Sequence, residues 1–276
     1  MILREVFAQT SRSLRSCGIE YSARDARALC AFAVGIEPDQ VTIEANMEVT
    51  VLQQEILLPL IRKRCERMPI SRIIGNRLFW GRQFEINKYV LDPRGDTETL
   101  IALALRQPAK KFLDLGTGTG NIAVTLLCEW PEAHAIATDI SPDALKVAKR
   151  NAVSHKVIER LDLRERDWFK NISSTFDLII SNPPYIGEDE IEKLEKDVKT
   201  FDPLISLSPG KDGLIAHRQI ARDAYNYLEV GGRLILEIGS FQGAKLKQIL
   251  NLSGFKEIET HKDLDGYDRV VSCVRN

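Results

Sequence analysis

Two segments of the sequence combine an apolar strand pattern with residues that could bind a ligand or hold a reacting group. The run 111–115 ends in an acid followed by alternating glycines and threonines: Asp114, Gly116, Thr117, Gly118, Thr119 and Gly120. The run 176–181 leads directly into Asn182, Pro183, Pro184 and Tyr185. In an open parallel sheet, ligands bind beyond the C-terminal ends of the strands, so we expect both segments to border one site.

The glycine segment predicts a cofactor site unlike that for a dinucleotide, because its glycines are spaced G-x-G-x-G rather than G-x-G-x-x-G. Asp114, just ahead of them, can hold the ammonium group at the amino-acid end of S-adenosylmethionine. Asp139 ends the next predicted strand, where it can accept hydrogen bonds from both ribose hydroxyls. Asp167 and Trp168 follow a third strand and suit an adenine contact, although a core Trp fits that position nearly as well. The combination predicts S-adenosylmethionine as cofactor and S-adenosylhomocysteine as its product.

The second segment predicts a site that binds a planar amine through hydrogen-bond acceptors. Each proline fixes its own φ and pushes the preceding residue toward extended backbone, so the turn is stiff. Pro183 and Pro184 carry carbonyls but no N–H, and the Asn182 side chain adds another acceptor. Two adjacent acceptors suit an –NH2 with a delocalised lone pair, because holding both N–H bonds lets the nitrogen pyramidalise and stabilises its developing positive charge. Tyr185 offers a flat face to an amide or a base.

Hydrophobic periodicity divides the chain. Residues 1–74 show helical spacing, with helix starts at Ser22, whose N3 acid is Asp25, and after Thr50, and predict a bundle of about four helices. Residues 75–92 suit a β-hairpin connector. Helix patterns then alternate with strand patterns at 111–115, 135–139, 161–166, 176–181, 233–238, 255–260 and 269–274. This alternation predicts an α/β domain over 93–276 with a mostly parallel, Rossmann-like sheet.

The composition limits which classes of protein the sequence can belong to. The 276 residues, 44% hydrophobic and 28% charged, predict one or two globular domains. The net charge of -1 weighs against binding long stretches of nucleic acid. Five scattered cysteines without a C-x-x-C pair, and four scattered histidines, predict neither a disulfide framework nor a metal site. No apolar run approaches the roughly 18 residues of a membrane span, so we expect a cytoplasmic protein without membrane association.

One stretch departs from the overall charge balance. Between Arg62 and Arg94 the sequence has nine basic residues and three acidic ones. This excess fits a docking surface for something anionic, such as RNA in a ribonucleoprotein, and it also fits a solvated helix face followed by a connector.

The segments 114–120 and 182–185, together with Asp139, resemble those of class I amino-methyltransferases. The helical N-terminal region, the hairpin and the segment 90–98 are similar to the HemK/PrmC family, whose members methylate the glutamine side-chain amide (N5) in the Gly-Gly-Gln motif of peptide chain release factors. The resemblance implies that residues 1–74 bind the release factor and residues 93–276 form the methyltransferase domain. It assigns catalysis and substrate binding to Asn182, Pro183, Pro184 and Tyr185, with Asn182 also touching the cofactor, and it strengthens the adenine contact at Asp167 and Trp168.

The sequence departs from this family at Gly95, where a proline is usual, and at Asp92, where an apolar residue is usual. The helix after Glu98 is also predicted to be short, because Pro108 follows soon. Three other functions stay open: glutamine methylation of a large-subunit ribosomal protein, methylation of adenine N6 or guanine N2 in a nucleic acid, and an inactive cofactor-binding scaffold. The triplet 96–98 favours the release-factor enzymes over the ribosomal-protein ones.

Overall fold

The computed structural model describes residues 1–194, 196–208 and 210–276. These residues form two compact units, one comprising residues 1–76 and 196–201 and the other residues 77–194 and 202–276. The first unit consists of helices α1 (Leu3–Ser16), α2 (Ser22–Val34), α3 (Gln40–Ile43), α4 (Val51–Cys65), α5 (Ile70–Ile74) and, later in the chain, α10 (Lys196–Phe201). Within the described residues, no helix combines the length and hydropathy needed to cross a bilayer.

The first unit encloses its own apolar core, to which α1, α2 and α4 contribute Leu3, Leu14, Leu29 and Leu57. The predicted start of α4 is confirmed, since Thr50 Oγ1 accepts from the Gln53 N–H (3.2 Å) and Gln53 Oε1 accepts from the Thr50 N–H (3.0 Å).

The cap predicted at Ser22 is wrong. Ser22 is the first residue of α2, and the N-cap is Tyr21, whose side chain makes no capping hydrogen bond. Asp25 is 1% exposed and instead accepts from Arg64 Nε of α4 at 2.8 Å. Arg64 also donates to Asp197 of α10 (3.0 Å), so one guanidinium bridges two carboxylates of the same unit. The ion pair of this buried carboxylate forms only when the two helices pack together, so the local sequence around Asp25 does not show it.

One cysteine prediction is also wrong. Cys17 and Cys65 form a disulfide with their Cα atoms 5.4 Å apart. The two residues are 48 positions apart in sequence, but packing brings the end of α1 to the end of α4. Cys30, Cys128 and Cys273 carry free thiols.

The predicted hairpin is confirmed as the pair β1 (Asn76–Phe79) and β2 (Arg82–Glu85). All of it but Asn76 belongs to the second unit. Its turn is attached by Glu98, whose carboxylate accepts from the Trp80 N–H at 2.8 Å. Its second strand is attached by the Glu85 N–H, which donates to the Asn151 carboxamide at 2.7 Å. The strands do not fill the predicted connector of residues 75–92, because β2 ends at Glu85.

A seven-stranded sheet carries the rest of the described part of this unit. Its strands are β3 (Lys111–Leu115), β4 (His134–Asp139), β5 (Leu161–Glu165), β6 (Phe176–Ser181), β7 (Leu228–Glu237), β8 (Lys256–Lys262) and β9 (Asp268–Val274). Their order is β5-β4-β3-β6-β7-β9-β8, with parallel pairing from β5 to β7 and antiparallel pairing of β9 with both neighbours. The predicted mostly parallel α/β sheet is confirmed.

Helices connect and flank these strands. They are α6 (Glu98–Ala104), α7 (Asn121–Glu129), α8 (Pro142–Ser154), α9 (Glu188–Ile191), α11 (Ile215–Ala224) and α12 (Gly243–Leu252). α6 spans only seven residues, which confirms the short helix predicted after the segment 96–98. Two apolar cores contain β-strand side chains such as Phe112 and Leu113, neighbours along β3 that face opposite sides of the sheet.

The order of the strands creates a switch point between β3 and β6. From β3 the chain moves outward to β4 and β5 and then returns to the other side of β3 as β6. The register pairs Leu115 with Ser181, and the Ser181 hydroxyl donates to the Leu115 carbonyl at 2.6 Å. Gly116 and Asn182 are therefore the first residues beyond two adjacent, aligned strand ends, the place where such sheets bind ligands.

Gly120 gives a test of how tightly α7 and α8 pack. Its φ is +78°, and a Cβ at this position would lie 3.1 Å from Ala148 Cβ and 3.3 Å from Ala148 Cα of α8. Gly231 has the same φ of +78°, but a Cβ there would have no atom within 4 Å, so this position isolates the backbone cost. We expect Gly231→Ala to lower the free energy of unfolding by about 1 kcal/mol. Gly120→Ala should lower it by about a further 1–3 kcal/mol, because α8 must shift.

Urea unfolding of the two variants and the parent measures this difference. Equal losses of stability in Gly120→Ala and Gly231→Ala would show that α7 and α8 do not pack as closely as described.

Candidate active site

The candidate site is a cavity of about 330 Å³ at the C-terminal edge of the sheet in the second unit. The sequence-predicted residues in its wall are Gly116, Gly118, Asp139, Asp167, Trp168, Asn182 and Pro184. The two polar segments thus meet as expected. The other predicted residues do not line the cavity, and their contacts with cofactor or substrate stay predictions: Asp114, Thr117, Thr119, Gly120, Pro183 and Tyr185.

The glycine segment bends sharply from β3 into α7. Gly116, Gly118 and Gly120 all have positive φ, and at Gly118 (φ +55°) a Cβ would point into open space. The Thr117 N–H donates to the Thr138 carbonyl of β4 at 2.9 Å, which ties the loop to the neighbouring strand. The wall at Gly118 is thus bare backbone that a ligand can approach closely.

Asp139 is held in place by the loops on either side of it. Its Oδ2 accepts from the Gly118 N–H at 2.9 Å and its Oδ1 from the Ser141 N–H at 2.8 Å. Burial raises its pKa, and these backbone N–H groups oppose the rise. A carboxylate has about four lone-pair sites, so each oxygen can still accept a hydroxyl from the cavity.

Asp114 is fully buried beneath the loop. Its Oδ2 accepts from the Thr117 hydroxyl at 2.6 Å, while its Oδ1 has no hydrogen-bond partner among the described residues. Burial raises its pKa to about 7, helped by the charge of Asp139 and opposed by the Thr117 hydroxyl and the Ala123 N–H. A buried acceptor without a donor indicates a position where a cation or a polar ligand group would interact favourably.

Trp168 and Asp167 follow β5 and reach the cavity together. Trp168 has a φ of +49°, unusual for a bulky residue, and its ring carbon Cζ3 lies 3.7 Å from where a Cβ on Gly116 would sit. The ring therefore packs over the bare backbone of the loop, and a side chain at Gly116 would press against it. A non-glycine residue held in this conformation is found where surrounding structure imposes it, commonly at ligand sites.

The Asn182 turn is fixed by side chains on three other segments. Asn182 Nδ2 donates to Thr97 Oγ1 at 3.1 Å. The Tyr185 carbonyl accepts from Gln242 Nε2 at 2.8 Å, and the Tyr185 hydroxyl donates to Glu237 Oε1 at 3.4 Å. Burial raises the pKa of Tyr185, so its hydroxyl stays protonated and acts as a donor. The ring of Tyr185 is directed toward β7 rather than into the cavity wall.

Glu237 was not predicted as a site residue. It is the last residue of β7, it is fully buried, and its Oε2 has no hydrogen-bond partner among the described residues. Burial raises its pKa to about 7, while the hydroxyls of Thr97 and Tyr185 and the charge of Arg269 oppose the rise. An acid at the end of an otherwise apolar strand next to β6 is the sequence signal that could have identified it.

The sequence also did not predict the rest of the cavity wall. Residues 89–91, assigned to the hairpin, contribute Tyr89, Val90 and Leu91, and the helix α11 contributes Gln219. The part of the chain that the structure describes contains no group of three His, Cys, Asp or Glu side chains placed to share a metal ion.

The pKa of Asp114 predicts a pH dependence of stability. Its value is higher in the folded than in the unfolded chain, so its contribution to stability is complete below pH 4 and is lost as the pH rises through about 7. Asp114→Asn removes this titration. The free energy of unfolding of the variant, relative to the parent, should therefore rise by on the order of 2 kcal/mol between pH 5 and pH 8.

Denaturant unfolding without cofactor at both pH values measures this change. Asp265→Asn, which alters an exposed carboxylate, is the control and should follow the parent at both pH values. A constant difference between Asp114→Asn and the parent would mean that Asp114 is ionised in the folded protein.

Comparison with known proteins extends these observations. Residues 94–195 match the family model "Methyltransferase small domain", and residues 5–75 match "PrmC N-terminal domain". A methyltransferase structure from Pyrococcus furiosus aligns with a TM-score of 0.54 at 16% identity, covering 72% of this chain and 91% of that one. At this identity the likeness concerns the fold, which is that of class I methyltransferases.

Two curated relatives match almost the whole chain. The chain is 33% identical over 301 residues to the "Bifunctional methyltransferase" of Rickettsia felis, covering 98% of this chain but only 57% of that longer protein. It is 47% identical over 260 residues to the "Release factor glutamine methyltransferase" of Cereibacter sphaeroides, covering 94% of each. An identity this high over nearly the full length shows that the chain belongs to the release factor glutamine methyltransferase family.

Proposed function

We propose that the protein transfers a methyl group from S-adenosylmethionine to the side-chain amide nitrogen of the glutamine in the Gly-Gly-Gln motif of peptide chain release factors. The observation that carries the proposal is the orientation of Asn182. Its Nδ2 donates to Thr97, so the carboxamide oxygen lies on the opposite side of the amide group and is left to accept a hydrogen bond from a substrate at the cavity. An acceptor at this position is what a primary amide requires.

The residues at the cavity fit S-adenosylmethionine. Asp139 would accept from the ribose hydroxyls, Trp168 and Asp167 would contact the adenine, and the open backbone at Gly118 leaves room for the ligand. Asp114 has an unpartnered buried oxygen, which supports a role for its charge in balancing the ligand's ammonium group. The cofactor would supply an electrophilic methyl group on a sulfonium centre.

This chain's own residues would act on the accepting nitrogen. An amide nitrogen is a poor nucleophile because its lone pair is delocalised into the carbonyl. Acceptors on the turn, the Asn182 oxygen and a proline carbonyl, would hold the two N–H bonds, orient the lone pair toward the methyl and stabilise the positive charge that develops on nitrogen. The stiffness of Pro183 and Pro184 keeps these acceptors from reorganising during the transfer.

A protein substrate is favoured over nucleic acid because at least four of the nine basic residues between Arg62 and Arg94 already pair with carboxylates. Arg64 pairs with Asp25 and Asp197 within the first unit. In the second unit the pairs are Arg77 with Asp92, Arg82 with Glu129 and Arg94 with Asp202. Guanidinium groups committed to internal carboxylates contribute little to phosphate binding.

One of these pairs accounts for Asp92, where the family usually has an apolar residue. Asp92 is 4% exposed and its Oδ1 lies 3.6 Å from Arg77 Nε, so the buried acid at this position has a cation beside it.

We also propose that residues 1–74 contact the release factor. Since release factors act in translation, the protein would then work in the cytoplasm.

The first test is incubation of the protein with isotope-labelled S-adenosylmethionine and a purified release factor. We expect one labelled site, the glutamine of Gly-Gly-Gln, and a mass increase of about one CH2 on that peptide. Changing this glutamine to Ala should abolish labelling, because no other side-chain amide reaches the turn. Persistent labelling of the Ala variant contradicts the proposal, and salt-sensitive labelling of bare RNA or DNA would support the nucleic-acid alternative.

The second test is Asn182→Ala, measured on the release factor at saturating cofactor. Loss of the acceptor should lower kcat by about 100-fold, because the nitrogen is no longer held in position. Binding of the release factor, measured by calorimetry, should change little, since one side chain is removed from a large contact. Asn251→Ala, on the exposed face of α12, is the control and should match the parent. Unchanged turnover in Asn182→Ala would remove this residue from the mechanism.

A further inference from the structure

The residues Asp96, Thr97 and Glu98 contact three different parts of the second unit. The Asp96 carboxylate forms an ion pair with Arg269 of β9, with 3.1 Å between Asp96 Oδ2 and Arg269 Nη2. The Glu98 carboxylate accepts from the Trp80 N–H in the hairpin turn at 2.8 Å. Thr97, between them, accepts from the Asn182 side chain at 3.1 Å. The outer two contacts hold this short segment at both sides, and the middle one reaches the turn at the cavity.

Arg269 is well placed to serve as an anchor for this segment. Its guanidinium is mostly buried and also donates to Asp263 at 3.1 Å, so it is held by carboxylates on two sides. Asp96 is thus paired with a cation whose own position is fixed. The backbone around Thr97 forms a single 3₁₀ turn, Gly95–Thr97, that leads directly into α6.

The direction of the hydrogen bonds around Thr97 decides which face Asn182 presents. A hydroxyl has one proton to donate and two lone pairs that accept. Thr97 is 2% exposed, and the Asn182 atom at 3.1 Å from its Oγ1 is Nδ2, which carries protons to donate but no lone pair that accepts. Thr97 Oγ1 can then only accept from Asn182, which must turn its NH2 toward Thr97 and its carbonyl oxygen away from it.

The reverse arrangement would harm catalysis. If the Thr97 proton pointed at Asn182, the carboxamide would rotate, and its NH2 would face the substrate. The NH2 group of Asn182 would then face the NH2 group of the substrate amide. Since both are donors, no hydrogen bond would form between them and the substrate nitrogen would not be held. At the other end of the turn, Glu237 accepts from the Tyr185 hydroxyl at 3.4 Å, so a buried side chain also holds that end of the Asn182–Tyr185 segment.

We infer that Thr97 is a positioning residue for methyl transfer: by accepting from Asn182 Nδ2, its hydroxyl oxygen locks the Asn182 carboxamide so that the carboxamide oxygen faces the accepting nitrogen. The inference rests on the proposed function for the identity of the substrate. It goes beyond that function by naming the residues that orient the catalytic side chain, none of which needs to touch cofactor or substrate.

Thr97→Val tests this role, because it keeps the shape of the side chain and removes the hydroxyl. We expect kcat on the release factor to fall by about 10- to 100-fold, since Asn182 can then rotate. KM for the release factor and the Kd for S-adenosylmethionine should stay within about twofold, because neither ligand contacts Thr97 in this scheme. Thr97→Ser restores the hydroxyl and should recover most of kcat.

Thr125→Val is the matched control. Thr125 in α7 is also fully buried, but its hydroxyl has no hydrogen-bond partner among the described residues, so its loss should leave kcat unchanged. A kcat for Thr97→Val equal to that of the parent would overturn the inference. A loss shared equally by kcat, cofactor affinity and thermal stability would also overturn it, because it would show a merely structural residue.

A measurement on the parent protein covers the case in which Thr97→Val does not fold. In protein with ¹⁵N-labelled asparagine, the Asn182 side-chain signals can be assigned by their loss in Asn182→Ala. We expect one of the two Nδ2 hydrogens to exchange with solvent much more slowly than those of exposed Asn251. Equal, fast exchange of both hydrogens would overturn the inference.

This exchange measurement needs neither cofactor nor substrate, so it separates the two proposals. If the parent fails to methylate the release factor but shows the protected hydrogen, the proposed function fails while the locked carboxamide stands. If the parent methylates the release factor and both hydrogens exchange freely, only the positioning role fails.

Discussion

The parallel pairing of β3 with β6 is the constraint on which the site depends. The strands are adjacent in the sheet although more than 60 residues separate Leu115 from Ser181, and their register aligns these two residues. Because the alignment ends both strands at one level, the glycine segment and the Asn182 turn begin side by side. A shift of this register by one residue would exchange the buried faces of a strand and would move the turn away from the loop. The buried side chains of both faces therefore hold the geometry of the candidate site as well as the core.

Burial at this edge of the sheet also shapes the electrostatics. Asp114, Asp139 and Glu237 each end or nearly end a parallel strand, and in each the pKa is raised mainly by burial. Backbone N–H groups and hydroxyls surround these acids and oppose the rise, as Gly118 and Ser141 do for Asp139. In such buried surroundings, hydrogen bonds and charges act more strongly than in water, so a few oriented groups would suffice for the proposed binding of a cofactor and a weak nucleophile.

Local sequence determined much of the fold and the centre of the site. The strand and helix patterns of the second unit, the glycine loop after β3 and the Asn182–Tyr185 turn could be predicted because periodicity, glycine spacing and proline stiffness are properties of neighbouring residues. The rule that parallel sheets bind ligands at their C-terminal edge then brought Gly116, Asp139 and Asn182 to one cavity. The resemblance to a known family added the substrate, which no pattern of spacing contained.

Tertiary structure alone decided which side chains support that centre. The contact of Thr97 with Asn182 spans 85 residues, the pairing of Arg94 with Asp202 spans 108, and the Cys17–Cys65 disulfide closes a separation of 48. No local pattern encodes these partners, because each depends on how separately formed elements pack and which way their side chains then point. For the same reason the sequence could show that the turn carries acceptors, whereas only the folded chain could show which atom of Asn182 is free to accept.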